Sequence, residues 1–95
     1  MTGINRVFDE IMAERARQDA QWGGPTHDDT HDPSDWMDFV ASQLEKFAHA
    51  MLARGESYYA TPDARQRFIK IAALSVAAVE SMDRNRAKGT MTTAP

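Results

Sequence analysis

The chain has 95 residues, 42 % hydrophobic and 26 % charged, an ordinary globular composition with room for one small domain. A net charge of −3 argues against a long nucleic acid as partner, because wrapping one needs clustered Lys and Arg; the absence of cysteine removes disulfides, thiolate catalysis and zinc–cysteine sites together. No run approaches the roughly 20 apolar residues that span a bilayer, and the start lacks a signal-peptide pattern, so a cytoplasmic protein with no membrane partner is expected.

Three main helices are expected, an all-α bundle in a single domain over 1–86. Over about 4–20, Ile4, Val7, Phe8, Ile11, Met12 and Ala16 recur at three- and four-residue spacing and make one apolar face. Arg6 and Glu10, four apart on the other face, are placed to pair. "WGGP" stops this helix, and a loop of about ten residues follows. The second helix is expected over about 33–53, with Asp32 as cap, Pro33 at its first position and Asp35 in its first turn. Its wheel gathers Trp36, Val40, Leu44, Phe47 and Met51, with Glu45 and His49 on the opposite side.

After the turn-rich "RGESYYATP", where Thr61 is the next cap, the third helix is expected over about 62–86. Apolar residues from Phe68 to Met82 cover more than half its circumference, so it needs more than one neighbour. It reads as the central helix, with the surplus surface completed by another copy of the chain. The segment 87–95 has no periodicity and reads as a frayed tail.

Chemistry-bearing residues concentrate in "HDDTHD". Asp28 and His31 are candidate ligands for a divalent cation, as are Glu45 and His49 at helical spacing. Consecutive loop residues point in different directions, however, and the second pair faces outward. No metal is therefore assigned, and an acidic loop with capping aspartates is the simpler reading. Glu80 has Arg84 four residues on as an ordinary partner. Trp22, Tyr58 and Tyr59 lie beside turns, where an aromatic ring stacks on a base or staples helices together. Arg15 and Arg17 are the natural phosphate contacts on the first helix.

"ERARQDAQWGGPTHDD" followed by "DW" resembles the opening of small phage and bacterial proteins related to the MazG-like all-α nucleoside triphosphate pyrophosphohydrolases. "IKIAALSVAAVESMDR" is similar to the final helix of that group. The resemblance implies an EExxE motif on the second helix and ExxD on the third, whose carboxylates hold Mg²⁺ on a triphosphate. Here Ser42, Gln43 and Lys46 stand where the glutamates are expected, and Arg67 and Lys70 where the ExxD acids are expected. Three of these five positions bring a positive charge that repels Mg²⁺.

The resulting expectation is a non-catalytic, oligomeric nucleotide-binding protein with no catalytic residues and no cofactor. Arg15, Arg17, Trp22, His27, Lys46, Arg67 and Lys70 are its expected ligand contacts; Lys46, Arg67 and Lys70 form a basic pocket in place of magnesium. A phage sponge that sequesters a cyclic or related signalling nucleotide is one use of such a protein. The alternatives are a Mg²⁺-dependent dNTP pyrophosphohydrolase using rearranged acids such as Glu14, Glu45 and Glu80, and a helical adaptor that blocks another protein.

Overall fold

The computed structural model describes residues 3–88, and the expected tail lies outside them from residue 89 onward. Helix α1 spans Gly3–Trp22, α2 Gly24–Asp28, α3 Pro33–Arg54 and α4 Pro62–Ala87, with a 3-10 turn at Glu56–Ala60. No strand occurs among the described residues, so the fold is all-α with three main helices.

Local chemistry sets each boundary. Gly23 takes φ +106°, a conformation open to glycine at little cost, while its N–H closes α1 on the Asp19 carbonyl at 2.9 Å. The chain then enters α2, five residues inside the segment expected to be a loop. Asp32 and Asp35 cap α3 reciprocally, each side chain accepting the other's backbone N–H at 3.0 Å. The Thr61 hydroxyl accepts from the Ala64 N–H at 3.2 Å and starts α4.

Helix α4 lies between α1 and α3, whose backbones do not approach each other, and α2 bridges α1 to α4. The three long helices form an open layer. One cluster packs Trp36 against Ala77 and Ala78, with Leu74 and Met82 alongside. A second packs Phe47, Tyr58 and Ala64, with Ala50 and Met51 alongside. Tyr58 is completely buried and its hydroxyl donates to Asp63, so it staples the 3-10 turn onto α4.

Both clusters belong to α3, α4 and the turn between them. The fully buried residues of α1 are Glu14 and Arg15, and polar bonds tie it to α4. Arg15 binds Glu80, and Arg65 holds Glu10 through two bonds at 2.7 and 2.6 Å. The local pairs expected from sequence are thus replaced by long-range ones. Glu10 goes to Arg65 rather than Arg6, and Arg84 to Asp29 rather than Glu80.

Leu44, expected in the core, is 48 % exposed. By the helical period it shares one side of the layer with Phe8 and Met12 of α1, Met37 of α3, and Phe68 and Val79 of α4, all exposed. No helix is long and apolar enough to cross a membrane among the described residues.

Candidate functional site: a cleft between α1 and α3

On the other side of the layer, the gap between α1 and α3 above α4 is a cleft of about 590 Å³, closed at one end by α2. That volume falls within the ~300–1,000 Å³ of small-molecule sites. Its walls carry the aromatic rings of Trp22, Trp36 and Phe39, the cations Arg17 and Lys70, and the amides of Gln18 and Gln43. Asp19, Asp28, His27 and His31 line it as well.

Arg17 is fixed by Glu14. Its Nε donates to both carboxylate oxygens at 3.0 and 3.1 Å and its Nη2 to Oε2 at 2.6 Å, while Nη1 reaches Gln21 at 3.0 Å. These bonds, with a further one from Gln18, hold the buried Glu14 carboxyl below its ordinary range. Lys70, half-buried, makes no hydrogen bond or ion pair among the described residues; its ammonium acts on Glu14 only at longer range. It is the cation the cleft leaves available.

Aromatic and imidazole rings form a ladder along the α2 and α3 wall. His27 and His31 face each other with Nε2 atoms 3.3 Å apart, a hydrogen bond in which one nitrogen must offer its lone pair. His31 stands edge-on to Trp36 and Phe39, with centroids 5.4 and 4.9 Å away. Trp22, the last residue of α1, leaves 58 % of its surface open at the rim.

Two neighbouring aspartates at the end of α2 are in opposite electrostatic states. Asp29 takes Arg84 through Nε and Nη2, with Ser81 and Lys88 adding bonds, and is held far below the usual carboxylate range. Asp28 is only 8 % exposed, and its side-chain Oδ2 has no hydrogen-bond partner. Desolvation, followed by the neighbouring charge of Asp19, raises its carboxyl above the ordinary value.

Of the expected ligand contacts, Arg17, Trp22, His27 and Lys70 meet in the cleft. Arg15 is buried against Glu80 instead. The expected basic pocket does not assemble. Arg67 turns to Gln43 at 3.2 Å and Asp63 at 3.6 Å, and Lys46 is exposed outside the cleft lining. Of the three, Lys70 alone lines the cleft.

Asp28 and His31 line the cleft, whereas Glu45 and His49 are exposed outside it. Among the described residues no three His or acidic side chains converge as a metal-holding group. The sequence placed Trp36 on the packed face of its helix and assigned Phe39 and Gln18 no role in binding. The readable signal was the run of Glu14, Arg17, Gln18 and Gln21 at helical spacing, one polar face that turns inward. Comparison of the chain with protein-family models, curated proteins and solved structures finds no match.

Proposed function

We propose that the cleft binds a small nucleotide without cleaving it. The observation that carries this reading is the pairing, in one cleft, of aromatic faces with an unengaged ammonium. Trp22 and Phe39 offer π surfaces for a base, while Lys70 beside Arg17 offers charge to a phosphate. The fate of the acids supports binding over metal-assisted hydrolysis. Glu10, Glu14 and Glu80 are each committed to an arginine, and Glu45 stands outside the cleft.

On this reading the chain is a MazG-like scaffold that has lost its metal motifs, with Lys70, at one of the motif positions, holding phosphate directly. Sequestration of a signalling nucleotide, as by a phage-encoded counter-defence sponge in the host cytoplasm, is the use that fits a binder without hydrolysis. The exposed apolar side of the layer supports a homo-oligomer, since a second copy is the simplest cover for it.

Titration calorimetry against nucleoside mono- and triphosphates and cyclic dinucleotides tests the proposal. Micromolar or tighter binding is expected, with Lys70→Ala and Trp22→Ala each weakening it about tenfold or more, the worth of one charge-assisted bond or one base stack. No binding at high micromolar ligand overturns it. Pyrophosphate release with Mg²⁺ that Glu45→Ala abolishes replaces it with the enzyme reading.

A further inference from the structure

Two residues that line the α2 end of the cleft carry buried polar atoms with nothing to bond. Asp28 Oδ2 is an acceptor without a donor and Trp36 Nε1 a donor without an acceptor; both residues line the cleft and both are more than nine-tenths buried. Buried polar groups are nearly always paired, so two orphans of opposite sense in one cavity indicate a partner that enters it. Arg15 and Arg84 act on Asp28 through their charge but donate no hydrogen bond to it; they bind Glu80 and Asp29.

We propose that this end of the cleft is a base-reading subsite for guanine, with the Asp28 carboxylate accepting from the base's N–H edge and the Trp36 indole donating to a base oxygen or ring nitrogen. The inference deepens the nucleotide reading above and rests on it. A carboxylate needs two adjacent N–H donors, and among the common bases guanine alone presents them, at N1 and N2. Adenine and cytosine place a ring lone pair beside their amino group, and uracil flanks its single N–H with carbonyls; each sets a lone pair against the carboxylate. Asp19, the second acid on the wall, strengthens the preference for a donor-rich edge. The Lys70 ammonium is left for the phosphate.

The test is calorimetry of the full chain with guanosine, inosine and xanthosine 5′-monophosphates. The first carries both donors, the second lacks the amino group, and the third has a carbonyl in its place. Binding is expected to weaken about tenfold or more from guanosine to inosine and further to xanthosine, since each step removes or reverses a bond to a charged acceptor. In Asp28→Asn the amide offers a donor as well, and the order of guanosine and xanthosine is expected to reverse. The hydrogen bond from Ser81 reaches the Asp28 backbone carbonyl and survives this change.

Equal binding of the three by the wild type overturns the guanine subsite while the nucleotide reading stands, as does binding confined to adenine or pyrimidine nucleotides. An order that Asp28→Asn leaves unchanged, in a variant with wild-type helicity, does the same. Failure of every nucleotide to bind overturns both.

Discussion

The carboxyl of Asp28 is held above its ordinary range by burial and by Asp19, so the folded state disfavours its ionised form. A raised folded-state value means that the native protein binds this proton more readily than the unfolded chain. The stabilisation from that proton is complete below the unfolded value and lost as pH rises through the folded one. Asp28→Asn removes the charge and is expected to raise the melting temperature at pH 7 by a few degrees, ~1 kcal/mol being worth about 4–8 °C in a domain of this size. The gap from wild type should close as pH falls through the raised value. Melting curves of both proteins across that range check it, and an equal or lower melting temperature for the variant at pH 7 would contradict it. Such a group is characteristic of a site that trades stability for recognition. None of this was legible at residue level. Acids and arginines could be counted, but Arg84 finds Asp29 and Arg15 finds Glu80 across 55 and 65 residues. Nearest-neighbour spacing offered other partners.

At the scale of elements, apolar periodicity and caps made the three long helices readable, because Asp32–Pro33 and Thr61–Pro62 mark starts that the structure uses. Helix α2 was not readable. Its five residues, Gly24–Asp28, carry no period, and they are helical because Gly23 before them reverses the chain and Asp29 ties them to α4. Gly23 is the point on which this turn depends. A Cβ there would meet the His27 Cβ at 3.3 Å, in a backbone conformation that side chains disfavour. Gly23→Ala is expected to cost about 1–2 kcal/mol and to displace His27 from the cleft wall. Thermal melting and nucleotide titration of this variant should fall together. Loss of stability with unchanged affinity would separate α2 from the site.

For the molecule as a whole, the layer has one side hollowed into a cleft and the other left apolar. The sequence showed surplus apolar surface on the helix now seen as α4; it could not show that α1 and α3 stand apart, and that gap is what creates the cleft. Val79, 58 % exposed on the apolar side, is a place to test the cover. The wild type is expected to sediment above the 10.6 kDa of one chain, and Val79→Glu as a single chain, because a carboxylate cannot be buried unpaired at low cost. A wild type that sediments at 10.6 kDa overturns the oligomer.

The unequal bonding of the three long helices has a mechanical meaning. Helices α3 and α4 form a hairpin glued by Trp36, Phe47 and Tyr58, whereas α1 is fastened to it through Glu10, Glu14 and Arg15. Dissolved salt screens charges but leaves apolar packing in place. The wall bearing Arg17 and Trp22 therefore rides on an ionic latch, and the width of the cleft is coupled to the ionic strength around it more closely than the hairpin beneath.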